Sequence, residues 1–123
     1  MSIAQKYDLF ARKCDLLLQE REIRFSGLLD PMGNLVAGKF KKGIEPLKDE
    51  SERRKMFIEA VLRVKTRQEF DQDLGPVRYA ASRRDNVVML TFPVLGNHVL
   101  FVSAEPDVDM DKIAKKIIKI CGI

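Results

Sequence analysis

The apolar periodicities along the chain predict an α+β fold with elements in the order α-ββ-α-βββ-α. Apolar residues recur at helical steps near both ends and through the middle of the chain. Two extended runs flank the turn sequence "DPMGN", and three more follow "DLGP". The connectors within each group are too short for a parallel crossover, so neighbouring strands should pair antiparallel. A length of 123 residues suits one hydrophobic core, and residues 1–123 are expected to form a single domain without internal repeat or linker.

Ser2 is placed to cap a first helix in which Ile3, Tyr7, Phe10, Cys14 and Leu17 recur at steps of four and three, drawing a narrow apolar stripe. After "QERE" the period changes. In "IRFSGLLD", Ile23, Phe25 and Gly27 alternate with Arg24, Ser26 and Leu28, which predicts a strand. Pro31 and Gly33 supply a tight turn, and "LVAGKF" resumes the extended preference to complete a hairpin.

The longest periodic stretch runs from Asp49 to Asp73. Asp49, Glu50 and Glu52 place negative charge at its N-terminus, with Ser51 a further capping candidate. Met56, Phe57, Ala60, Val61 and Val64 form a wide apolar face, and Arg53, Glu59, Arg63 and Arg67 lie on the polar side. Gly75 suits the end of the helix and Pro76 blocks its continuation. A helix of about 25 residues would measure about 37 Å, long for so small a domain. A bend or fraying is therefore expected near Gln68, and the length points to contacts beyond the domain.

Three strands are predicted next, at residues 77–82, 86–94 and 98–105, with "RRDN" and "LGN" as the connectors of an antiparallel meander. The nearly continuous apolar run Val87, Val88, Met89 and Leu90 suggests a central strand covered on both faces. Pro93 cannot donate to a ladder and should mark a strand end or a bulge. "EPDVDMDK" leads into a last helix with Ile113, Ala114, Ile117, Ile118 and Cys121 inward and Lys112, Lys115, Lys116 and Lys119 outward.

Function is less legible. "GNLVAGKF", residues 33–40, fits a phosphate-cradling loop, G-x-x-x-x-G-K-[ST], in every place but the last, where Phe40 stands. Such a loop needs a helix directly after the lysine, whereas "FKKGIEPLKDE" follows and Leu35, Val36 and Ala37 suit a sheet. No nucleotide or other cofactor is expected. Cys14 and Cys121 have no C-x-x-C spacing and read as small buried residues, with no metal site. The sole histidine, His98, reads as a solvated turn residue without a nucleophile or metal-ligand spacing nearby. Glu105, Asp107, Asp109 and Asp111 read as an acidic helix N-terminus, since they lack the glycine and terminal glutamate of a calcium hand. No catalytic residues are assigned, and an enzyme is not expected. No run approaches the roughly 18 apolar residues of a membrane span, and the N-terminus has no secretory pattern, so a cytoplasmic protein is expected.

The net charge of +4, from 22 basic and 18 acidic residues, is a mild excess spread along the chain. A dedicated nucleic-acid binder would concentrate it in a stripe. The candidate basic contact surface is Lys39, Lys41 and Lys42 together with Arg83 and Arg84.

The element order, together with "FSGLLDPMGNLVAG" as an opening hairpin, resembles the roadblock family, the dynein-light-chain type of profilin-like domain. The chain is also similar to small archaeal proteins. The resemblance implies a five-stranded antiparallel sheet with the long middle helix on one face and the terminal helices on the other. It further implies pairing of two copies through the middle helix and the third strand, and a non-catalytic role as scaffold or regulator for small GTPases and motor or membrane-associated complexes. Arg24 and the long basic connector "KFKKGIEPLKDE" depart from the family's minimal pattern. The edge strand "VRYAAS" supports pairing on physical grounds, because small side chains and one charge protect it lightly. The candidate homodimer interface comprises Met56, Ala60, Val64, Val77, Arg78, Tyr79, Ala80 and Ala81. Alternatives are a small-ligand sensor, which would need an apolar cavity with converging polar groups that the sequence does not reveal, and a weak binder of nucleic acid or acidic partners.

Overall fold

A computed structural model describes all residues from Met1 to Ile123. Helix α1 (Ile3–Leu17) begins in a capping box: the Gln5 amide N–H donates to Ser2 Oγ at 3.2 Å, and the Ser2 N–H donates to Gln5 Oε1 at 2.8 Å. Strands β1 (Ile23–Leu29) and β2 (Leu35–Phe40) form the hairpin. Its turn is tied by the Asp30 carboxylate, which accepts from the Met32 and Asn34 amides at 2.9 Å each. Burial works to raise the Asp30 pKa, yet these hydrogen bonds and the Asn34 side chain prevail and hold it below the usual range.

The phosphate-loop lookalike is this turn and strand. Gly33 (φ +82°) lies against α2 (Glu50–Gln68), where a Cβ would come within 2.8 Å of Ile58 Cγ1. Gly38 (φ +99°) faces β1, where a Cβ would come within 2.1 Å of the Ser26 carbonyl oxygen. Both glycines are thus required by backbone approach and positive φ.

Helix α2 starts at the Asp49 cap, whose carboxylate accepts from the Glu52 N–H at 2.9 Å, with Glu50 and Glu52 in the first turn and Lys65 and Arg67 in the last. The expected break follows Gln68: Glu69 and Phe70 separate α2 from the single turn α3 (Asp71–Leu74). Thr66 Oγ1 bonds back to the Leu62 carbonyl at 2.9 Å, a local competition that bends helices. Strands β3 (Ala80–Arg83), β4 (Val88–Val94) and β5 (His98–Ala104) form the meander, and α4 (Met110–Cys121) closes the chain. Asp109 caps α4 through the Lys112 amide at 3.0 Å, so the acidic run is a helix N-terminus.

The five strands make one antiparallel sheet in the order β2-β1-β5-β4-β3. Helices α1 and α4 cover one face, where Phe10, Cys14, Leu17, Ile113 and Ile117 join Leu28, Leu90, Phe92 and Leu100 in a cluster of 17 buried residues. Helix α2 covers the other, with Phe57, Ala60, Val61 and Val64 against Phe25, Leu29, Val99 and Phe101 in a cluster of 8. Cys14 and Cys121 are buried free thiols on the first face, and burial pushes the Cys121 thiol up to about 11.

Three expectations are corrected. Strand β3 begins at Ala80 rather than Val77 and takes in Arg83, because the Val77 N–H turns back to Asp71 Oδ1 at 3.3 Å instead of joining the ladder. Strict alternation would put Ile23 and Phe25 on one face; a bulge between them in the pairing with β5 sends Ile23 toward the terminal helices and Phe25 toward α2. Finally, His98 is 7% exposed rather than solvated. Its Nε2 lies 2.9 Å from Tyr7 Oη and its Nδ1 2.7 Å from Asn97 Oδ1. Since an amide oxygen only accepts, Nδ1 carries the proton and Nε2 accepts from the tyrosine. Burial holds the imidazole below its ordinary pKa, with Asp30 opposing.

Candidate interaction surface

Because β3 is the last strand of the sheet, its outer edge has no partner strand. Register decides where its side chains point. Ala81 lies opposite Leu90 and shares the terminal-helix face, whereas Ala80 and Ser82 lie opposite Thr91 and Met89 and share the α2 face. Between this edge and α2 runs a shallow groove of about 100 Å³, lined by Met56, Glu59, Ala60, Arg63 and Arg67 from the helix and by Ala80, Ser82 and Met89 from the sheet. The small side chains of β3 create the groove, and α2, packed over the centre of the sheet, forms its other wall.

Of the eight residues expected at a dimer interface, Met56, Ala60 and Ala80 line this groove on the α2 face, and Ala81, whose register puts it on the other face, borders it at the strand edge. Val64 is buried on the underside of α2, and Val77 and Arg78 lie in the irregular segment ahead of β3. Tyr79 is committed within the chain: its ring packs on Phe92 at 5.9 Å and its hydroxyl donates to Asp111, a bond that raises the phenol pKa. Pairing is therefore better probed at Ala80 than at Tyr79. Nothing in the sequence marked Glu59, Arg63 and Arg67 as groove residues; Glu59 and Arg63 form an ion pair at 2.7 Å, a helical i,i+4 spacing.

The basic residues expected to form one surface occupy opposite edges of the sheet. Lys39 approaches Asp15 at 3.8 Å on the β2 side, and Lys41 Nζ donates to the Glu20 and Arg21 carbonyls. Arg83, on the β3 side, donates to the Pro106 and Val108 carbonyls. Arg84 stands in the β3–β4 turn, across the width of the sheet from Lys41 and Lys42. No group of three or more His, Cys, Asp or Glu side chains is arranged to hold a metal ion. No helix is long and apolar enough to cross a membrane.

A family profile described as "Family of unknown function (DUF6659)" matches residues 3–123. The chain belongs to that family. No curated protein matches its sequence. Among solved structures, MglB from Myxococcus xanthus superposes with a TM-score of 0.72 at 13% identity, over 96% of this chain and 86% of that one. A roadblock/LC7 domain from Streptomyces avermitilis gives 0.69 at 14% identity, over 91% of both chains. The gliding protein MglB from Thermus thermophilus gives 0.70 at 13% identity, over 94% and 90%. The fold of this family member is thus the roadblock/LC7 fold, as the element order and opening hairpin suggested.

Proposed function

We propose that the chain is a non-catalytic interaction module that works as one domain and pairs with a second copy through β3 and the adjacent side of α2. The paired unit then serves as a regulator or scaffold in the cytoplasm, with a small GTPase as the partner class that the roadblock resemblance suggests. The open edge of β3 carries this reading: an unpaired strand with small side chains beside an accessible helix flank is a ready template for strand addition. The shared fold with MglB, one structure of which is described as having a tetrameric arrangement, supports self-association.

Light scattering after size exclusion, over a dilution series, tests the pairing. The wild type is expected at twice the monomer mass, and Ala80→Arg and Ser82→Arg, both on the groove side of β3, are expected to shift it to monomer while preserving the circular dichroism spectrum. A wild-type monomer at every concentration, or variants that remain dimeric, overturns the interface. Arg63, Arg67 and Arg84 face the groove against one glutamate, so a self-pair brings like charges together. Added salt should screen that repulsion and tighten the pair. Loading the dimer with candidate GTPases then tests the partner class, and failure of all of them to co-elute would leave pairing without that role.

A further inference from the structure

The α2 face holds a second, larger cavity, which borders the groove at Met56, Arg84, Met89 and Phe101 and has core rings on its floor. It offers about 560 Å³ between the sheet, the first turns of α2, the connector after β2 and the β3–β4 turn. That volume lies within the roughly 300–1,000 Å³ typical of small-molecule sites. We infer that this cavity binds a small organic anion with a flat apolar body.

Three features point to that class. First, the walls are aromatic. Phe25 is surrounded by Phe40, Phe57 and Phe101 at ring-centroid distances of 4.7, 5.7 and 6.1 Å, and all four rings line the cavity. Phe25, Phe57 and Phe101 are buried and form an apolar floor, and the half-buried Phe40 is the ring a flat guest would meet by stacking or edge contact. Met56 and Met89 add polarisable walls that adjust to an irregular guest.

Second, the polar lining is strongly cationic. Arg24, Lys48, Arg53 and Arg84 contribute four positive charges against the single carboxylate of Asp85. Arg24 is anchored by Glu105 at 3.3 Å, and Arg53 lies over the Phe40 ring while donating to the Lys48 carbonyl at 2.6 Å. Lys48 and Arg84 make no ion pair within the chain, so they are free to meet an anionic group. A cleft with one sign of charge on low-dielectric walls concentrates ligands of the opposite sign.

Third, the backbone is shaped to deliver one of these cations. Arg24 is the extra residue of the β1 bulge, left out of the pairing with β5, and the bulge brings its guanidinium to the cavity wall. Bulges commonly re-aim a side chain in this way beside binding sites. The cavity is a half-open cleft bounded by α2, the connector and the β3–β4 turn, and its volume suits a small molecule.

Two dyes that share one aromatic body test the assignment: anilinonaphthalene sulfonate, which is anionic, and N-phenylnaphthylamine, which lacks the sulfonate. Both should bind with a fluorescence increase, and amide shifts in proton–nitrogen spectra should cluster at Phe25, Phe40, Phe101 and Val87. Reversing the two free cations together, Lys48→Glu with Arg84→Glu, should weaken the sulfonate dye by about tenfold or more while changing the neutral dye by less than about twofold. Filling the mouth with Val87→Trp should weaken both dyes, and circular dichroism monitors the fold of each variant. Equal loss of the two dyes on charge reversal, an unchanged sulfonate affinity, or shifts centred on the β3 groove would overturn the inference. Arg84 also borders the β3 groove, so the dye titrations are compared at a protein concentration where light scattering gives the variant and the wild type the same mass.

Discussion

Two helices close one face of the sheet, and one helix covers the other. On the first face, α1 and α4 lie side by side, and Leu17, Leu28, Leu90, Phe92, Leu100 and Ile117 are all inaccessible to solvent. On the second, α2 leaves Phe57 at 9% and Ala60 at 8% exposure, a groove on its β3 side and a cavity at its N-terminal end. A five-stranded sheet is wider than one helix of about 10 Å diameter can cover, with strands about 4.8 Å apart. The residual surface on the α2 face is therefore a geometric consequence of the topology, and both proposed sites occupy it. The filled face supplies stability, and the open face offers the surface on which both proposals rest.

Matched truncations test that division most strongly. Phe92→Ala on the filled face should cost about 4 kcal/mol, since the emptied volume is sealed by two helices. Phe57→Ala on the open face should cost about 2 kcal/mol, because the new space merges with an existing cavity that water can enter. Equal losses in denaturant unfolding would break the distinction between the faces.

His98 sharpens the comparison, as it ties α1 on the filled face to the end of the sheet. Replacing it with Gln should cost about 1–2 kcal/mol at neutral pH, mostly from the lost Tyr7 hydrogen bond. The folded protein binds this proton less readily than the unfolded chain, because burial and the nearby Lys6 outweigh Asp30. Wild-type stability should therefore fall as pH drops below about 6.5, until the lower folded-state pKa is passed. His98→Gln removes that component, so the stability gap between variant and wild type should narrow on acidification; a gap constant from neutral to mildly acid pH would contradict the assignment.

On the open face, Asp49→Ala should cost about 1 kcal/mol through loss of the α2 cap. It should also reduce sulfonate-dye binding if the first turn of α2 is held in place by that cap, an effect read by the same titration. The smallest change is expected for Ser26→Ala on the filled face. The Ser26 hydroxyl is fully buried with only the weakly hydrogen-bonding Cys14 thiol as a neighbour. Removing it should be neutral or stabilising, within about 0.5 kcal/mol; a clear loss by chemical denaturation would show that the hydroxyl is satisfied.

Local chemistry made much of the architecture legible. The Ser2 capping box, the Asp30 turn and the Asp49 and Asp109 caps act over three or four residues, so α1, β2 and the starts of α2 and α4 could be placed from the chain alone. The apolar periods likewise identified most of the core. Contacts between distant segments decided the rest. Burial of His98 depends on Tyr7, 91 positions away, and the start of β3 depends on where the Val77 amide finds its acceptor. The bulge that turns Arg24 toward the cavity arises from register against β5, far down the chain, and no window of sequence contains both strands. The groove and the cavity were illegible for the same reason: they are spaces left between elements, and periodicity reports which residues a helix or strand buries but not how much of a sheet one helix leaves uncovered.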